Sequence, residues 1–137
     1  PRDDADVVIF TGGGWVARTD KGVRAEVASG RWQPVIASAS ARSAVLASVC
    51  TGAMILASAG VLKGRRSTTH HSAWNDLEAA GAILIKERVV DGGDIITAGG
   101  VTSGIDLGLH LVERFAGRGL ARSIAANLEY PARQHAC

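Results

Sequence analysis

The chain has 137 residues, 47% of them hydrophobic and 20% charged, which is the length and composition of one soluble globular domain that buries a core without staples. Its 15 basic and 13 acidic side chains leave a formal net charge of +2, and only Lys63, Arg65 and Arg66 cluster, which argues against nucleic acid as a partner, since phosphate binding needs a concentrated basic surface. The two cysteines make no disulfide framework and point to a reducing, cytoplasmic setting, no run approaches the ~18 apolar residues of a membrane span, and PRDDADVVIF lacks the regions of a signal peptide.

In chain order, Asp6 to Phe10 is a β-branched apolar run ending at Thr11-Gly12-Gly13-Gly14, which reads as a buried strand entering a tight loop. Apolar on both faces, it suggests a parallel sheet. Lys21 to Ser29 reads as a helix closed by Gly30, and Pro34 to Ala41 as a second helical segment. Ala44 to Val49 is another buried strand. It runs directly into Cys50-Thr51-Gly52-Ala53 and a helix over Met54 to Ala59 that stops at Gly60. Arg66 to Thr69 reads as a short strand leading to His70-His71, followed by a helix over Ala73 to Ala80. Ala82 to Lys86, Arg88 to Asp91 and Asp94 to Thr97 read as strands, the last two forming a hairpin about Asp91-Gly92-Gly93. Ile105 to Phe115 and Leu120 to Leu128 close the domain as helices before Pro131. Strands alternating with helices predict an α/β sandwich, and no repeat or linker divides residues 1–137.

The segment that speaks to chemistry is AVLASVCTGAMILASAG, residues 44 to 60. A buried strand ending in a nucleophile and followed at once by a helix forces a sharp turn, which the small Gly52 and Ala53 permit. The Cys50 thiol would stand clear of the sheet near a helix N-terminus, whose N–H groups favour the thiolate. The N–H of Thr51 could receive negative charge on a substrate atom. A plain buried core cysteine is the alternative, and the elbow alone leaves both open. The glycines after the first strand lie at the edge of a parallel sheet where ligands usually bind, and could offer a second oxyanion donor. Such glycines also occur in ordinary turns. His70 and His71 follow a further strand, where a histidine could hold a proton or orient the thiolate, although a loop pair is commonly just solvated. That pair is too little for a metal site, and no cofactor is expected.

The run ASVCTGAMILASAGVLKGRRSTTHHSAWNDLEAAGA, then ERVVDGGDIITAGGVTSGIDLGLHLVERFAG and the closing LEYP, resembles the ThiJ/PfpI superfamily on a class I glutamine amidotransferase-like fold. The resemblance covers nearly the whole chain and implies a flavodoxin-like three-layer sandwich with a mostly parallel sheet. The wording S-V-C-T-G, T-T-H, R-V-V and G-G-V-T-S-G-I-D is most similar to isonitrile hydratases and to amidase-like sensor domains of AraC-type regulators. By that resemblance Cys50 is the nucleophile, Thr51 and Gly13 supply oxyanion N–H groups, and His70 is the histidine near the thiol. Gly12, Gly14, Trp15 and His71 are expected to line the pocket. Asp106 matches an acidic position at a helix start, read as capping chemistry.

Members of the superfamily usually begin with a further strand, helix and strand, the first strand carrying an acidic residue that hydrogen-bonds the cysteine. Nothing here matches that unit, and Asp3, Asp4 and Asp6 precede the strand whose far end is the active edge. The expectation is therefore a longer natural protein with an upstream Asp or Glu near Cys50. Without that unit the strands Asp6 to Phe10 and Ala44 to Val49 should keep an unpaired edge, each unsatisfied group costing about 1 to 3 kcal/mol against about 5 to 15 kcal/mol of net stability. The leading functional expectation is a cysteine-dependent hydration of a small electrophile, an isonitrile to an N-substituted formamide, by a homodimer. Two others compete with it, a small-molecule sensing module and a protein whose Cys50 is oxidised or condenses with a carbonyl compound.

Overall fold

The computed structural model describes residues 4–17 and 20–131, so Asp3 and Cys137 lie outside the described residues. Strand β1 (Val7–Phe10) leads through the glycine loop to helices α1 (Val23–Ser29) and α2 (Gln33–Ala41). Strand β2 (Val45–Val49) follows, then one 3-10 turn over Cys50–Gly52 and helix α3 (Ala53–Ser58). Next come β3 (Arg66–Ser67), a second 3-10 turn over His71–Ala73, α4 (Trp74–Ala79), β4 (Ile83–Leu84), β5 (Val89–Asp91), β6 (Ile95–Ala98), α5 (Ser103–Ala116) and α6 (Arg118–Asn127).

The main sheet has the order β1-β2-β6-β5. Strands β1, β2 and β6 run parallel, in a register that pairs Phe10 with Ser48 and Ser48 with Thr97. Strand β5 is antiparallel to β6, with Val90 opposite Thr97. That pair is the hairpin expected about Asp91-Gly92-Gly93, and the Asp91 side chain accepts the Gly93 N–H at 2.7 Å to close its turn. Helices cover both faces, which makes the mostly parallel sheet the middle layer of an α/β sandwich.

On one face α3 packs against β1, β2, α1 and α4. Five of its six residues, Ala53 to Ala57, are buried, because a helix that is apolar all round has no surface to give to water. Leu56, Leu46, Ile36, Leu62 and Leu77 share that core, each contributing about 1.5 to 3 kcal/mol by burial. On the other face Val45, Ala47, Ile96, Ala98 and Leu107 form a smaller cluster beneath α5. Alternation along β2 sends Leu46 and Ser48 one way and Val45 and Ala47 the other, so both faces of this central strand are consumed.

Three expectations from the sequence are corrected. The strand expected over Arg66 to Thr69 stops at Ser67, because the Thr68 N–H bonds the Thr97 hydroxyl and the Thr69 hydroxyl bonds the Cys50 carbonyl in place of a ladder. Ala82 to Lys86 reduces to Ile83–Leu84, which pairs parallel with β3 in a separate two-stranded sheet. The unpaired edge belongs to β1 alone among the described strands of the main sheet's parallel core, since β2 is hydrogen-bonded on both sides. Ile9 on that edge strand is 47% exposed.

Asp106 also does something other than capping. It is buried in the first turn of α5, and its Oδ2 accepts from Arg88 Nε at 2.8 Å and from the Tyr130 hydroxyl at 2.9 Å. Arg88 in turn donates to the Thr102 hydroxyl at 2.9 Å. The carboxylate thus ties the residue before β5, α5 and the segment after α6 together, and its hydrogen bond holds the Arg88 guanidinium above its ordinary pKa.

Candidate active site

Cys50 follows β2 with φ of 59°, a left-handed conformation that a non-glycine residue holds only where its surroundings impose it. Both of its backbone groups are held from outside the elbow. Its N–H donates to the Gly99 carbonyl at 2.8 Å, and its carbonyl accepts from the Thr69 hydroxyl at 2.9 Å. Gly99 comes directly after β6 and Thr69 shortly after β3, so two strand ends fix the turn that carries the thiol. The Cys50 residue is half-buried, while Thr51 beside it is buried.

The glycine loop after β1 forms the opposite wall. A Cβ on Gly12 would come within 2.6 Å of the Thr51 nitrogen, 2.7 Å of Cys50 Cβ and 2.9 Å of Cys50 Sγ. Only a bare Cα leaves the sulfur that space. Gly13 is stapled at both ends: its N–H donates to Thr51 Oγ1 at 3.0 Å and its carbonyl accepts from Val23 N–H at 2.8 Å. The N–H expected to meet a substrate oxyanion is therefore engaged by the Thr51 side chain, which joins loop and elbow across the chain. Trp15, expected in the pocket wall, is instead buried in the core, with its indole N–H on Asp76 at 2.7 Å and Arg24 stacked 4.1 Å from its ring.

His70 comes to the same sheet edge. It directly follows Thr69, and its ring abuts Gly100, the neighbour of Gly99. Its Nδ1 lies 2.8 Å from Ser72 Oγ and accepts the Ser72 N–H at 3.2 Å. His71 is exposed, its ring tilted against that of His70 at 4.1 Å between centroids and edge-on to Trp74. The structure thus gathers Cys50, Thr51, Gly12, Gly13 and His70 at one end of the sheet. It adds Thr69, Gly99 and Gly100, which sequence reasoning missed. Gly99-Gly100 carried the same signal as the loop at Gly12, glycines straight after an apolar parallel strand.

Beneath the elbow lies a row of buried hydroxyls, Ser48, Thr97, Ser67, Thr68 and Thr69, of which Ser48 Oγ has no hydrogen-bond partner among the described residues. Among the described residues, no group of three or more His, Cys, Asp or Glu side chains could hold a metal ion, and no helix is long and apolar enough to cross a membrane.

The family model described as the DJ-1/PfpI family matches residues 2–114. An isonitrile hydratase of Pseudomonas putida is 42% identical over 95 residues, covering 69% of this chain and 42% of that protein. A deglycase of Thermococcus kodakarensis is 43% identical over 53 residues, covering 39% of this chain and 32% of that protein. The crystal structure of a ThiJ/PfpI family protein from Pseudomonas syringae superposes with a TM-score of 0.68 at 31% identity, over 92% of this chain and 50% of that one. The chain spans less than half the length of these two curated relatives.

Proposed function

From the premise that this chain belongs to the DJ-1/PfpI family, we propose that it is a cysteine-dependent catalyst of hydration, whose best-supported substrate class is the small isonitriles. The observation that carries this reading is the Cys50 elbow: a thiol on a left-handed turn, fixed by Gly99 and Thr69, facing a glycine whose missing Cβ leaves room for a reacting carbon.

In the proposed sequence the Cys50 thiolate attacks the terminal carbon of the isonitrile, and that carbon takes a proton. A thioimidate results, with a new C–S bond and the nitrogen as an imine. Water then adds to the same carbon, the C–S bond breaks with return of its electron pair to sulfur, and N-substituted formamide leaves. The balance is one isonitrile and one water to one formamide. Identity to the Pseudomonas hydratase supports this choice among electrophiles. The local identity to a deglycase supports a second reading, in which the same thiol adds to the carbonyl of a small aldehyde.

Incubation with a small isonitrile, reading formamide on wild type and Cys50→Ser, tests the first. Wild type should turn over and Cys50→Ser should not, because a hydroxyl without a matched base is a far weaker nucleophile. Undiminished formamide from Cys50→Ser would sink the mechanism. Aldehyde consumption with no formamide would favour the second reading.

A further inference from the structure

His70 is gripped on three sides in a way that decides which of its nitrogens carries the proton. The Ser72 backbone N–H can only donate, and it points at Nδ1 from 3.2 Å, so Nδ1 must offer a lone pair. The Ser72 hydroxyl stands on the same nitrogen at 2.8 Å and can donate to it as well. In a neutral imidazole an acceptor at Nδ1 leaves the proton on Nε2.

The opposite edge of the ring is set by Gly100. A Cβ there would lie 2.4 Å from His70 Cδ2, with Nε2 and Cγ at 3.3 and 3.5 Å. Both neighbours of Cδ2 lie about 1 Å farther from that Cβ than Cδ2 itself, so Gly100 meets the ring edge-on, in its plane. Any side chain at 100 would press the imidazole against Ser72 and force the ring to shift. His71 covers a face, its ring centroid 4.1 Å away. Nε2 is left without a hydrogen-bond partner among the described residues, at the sheet edge where Thr69 and Gly99 hold Cys50.

We propose that Ser72 holds His70 as the Nε2–H tautomer, and that His70 offers this N–H as a hydrogen-bond donor to a nitrogen or oxygen atom adjoining the carbon attacked by Cys50. Ser72 and Gly100 are positioning residues for that donor. The assignment rests on the cysteine-electrophile reading above and narrows it. His70 acts as a donor and not as the base that takes the thiol proton, and the favoured ligands are electrophiles with an acceptor atom next to the reacting carbon. An isonitrile nitrogen gains its lone pair as the C–S bond forms and it becomes the imine nitrogen of the thioimidate, so it meets that condition in the adduct, whereas a carbonyl oxygen meets it from the start. An alkyl halide does not.

Two measurements test it. The first is independent of turnover: long-range 15N–1H NMR of 15N-histidine-labelled protein at about pH 8, where imidazole is neutral. The His70 ring should show a protonated Nε2 and a bare Nδ1, and a protonated Nδ1 would overturn the proposal whether or not the protein hydrates isonitriles. The second compares two amides, because a glutamine side chain places its NH2 near the position of Nε2 and an asparagine near that of Nδ1. With a small isonitrile, His70→Gln should keep most of the formamide rate. His70→Asn should lose about tenfold or more, the loss expected of one hydrogen bond to developing charge. Equal rates for the two variants would refute the donor role. Absence of turnover in wild type would refute the parent reading, and the NMR result would still decide the tautomer.

Discussion

Two glycine-to-alanine substitutions, both at helical backbone angles, should move stability in opposite directions. Gly108 lies within α5, where helix propensity gives alanine about 1 kcal/mol, whereas Gly52, with φ −57° and ψ −26°, is the N-cap of α3, where alanine gains nothing. At Gly108 nothing stands within 4 Å of the new Cβ, and that gain should appear in full. At Gly52 the Cβ would fall 2.1 Å from the Phe10 carbonyl oxygen, 2.6 Å from its carbon and 2.9 Å from the Thr11 carbonyl carbon. That is about 1 Å short of even a tight contact. All three atoms are backbone at the end of β1, which is locked to β2 by the pairing of Phe10 with Ser48, so no side chain can swing aside. Overpacking ordinarily costs about 1 to 3 kcal/mol and more where nothing yields, which leaves Gly52→Ala about 3 kcal/mol less stable than wild type, with no propensity gain to offset it. Urea unfolding followed by circular dichroism measures both variants. A Gly52→Ala protein as stable as wild type, or the same sign for the two, would refute the claim that backbone contact at the elbow governs this position.

Other substitutions probe separate parts of the molecule. Ser48→Ala removes a buried hydroxyl that lacks a partner, so stability should rise by about 1 kcal/mol, and a loss measured by the same denaturation would show that the hydroxyl is paired in solution. Burial alone would raise the Asp91 carboxyl, yet the hydrogen bonds from His110 and the Gly93 N–H outweigh it and hold the pKa below the ordinary value. A depressed folded-state pKa gives stability that is present above the unfolded value of about 3.9 and lost as pH falls through the folded one. Stability should therefore drop below about pH 4, and Asp91→Asn should flatten that acid limb in urea midpoints taken between about pH 2 and 7; an unchanged limb would mean the pair adds nothing. Asp94, held low by its hydrogen bond to Arg65, is largely exposed, so Asp94→Asn should change the same limb much less.

The fold was legible in the sequence where the signal was local. The runs at Val7 and Val45, the hairpin glycines at 92 and 93 and the helix-closing Gly30 each declare themselves within a few residues, and the elbow at Cys50 follows from one strand meeting one turn. What stayed hidden depends on atoms far apart in the chain. Nothing near Thr68 says that its N–H will leave the ladder for Thr97, 29 residues on. Asp106 looks like a cap until Arg88 and Tyr130 arrive from other elements. The resemblance makes Gly13 an oxyanion donor, and nothing beside it in the chain says that the Thr51 hydroxyl, 38 residues later, takes its N–H. Ser72 was legible in principle, since a serine two residues after a histidine can bond back to its ring, but that pattern carries weight only once Gly100 fixes the ring from the other side.

The knot of Arg88, Asp106 and Tyr130 has a consequence in time. Its contacts close separations of 18, 24 and 42 residues, and the hydroxyl of Tyr130 can find Asp106 only after the β5–β6 hairpin, α5 and α6 have taken their places. Contacts that need so much prior assembly are expected to form after the barrier top, once the loop-closure cost has been met. They govern how long the native state survives more than how fast it is reached. Tyr130→Phe should thus leave the refolding limb of a chevron nearly unmoved while unfolding accelerates. A matching slowdown in refolding would place this closure at the start of assembly, and would make the segment after α6 a participant in nucleation.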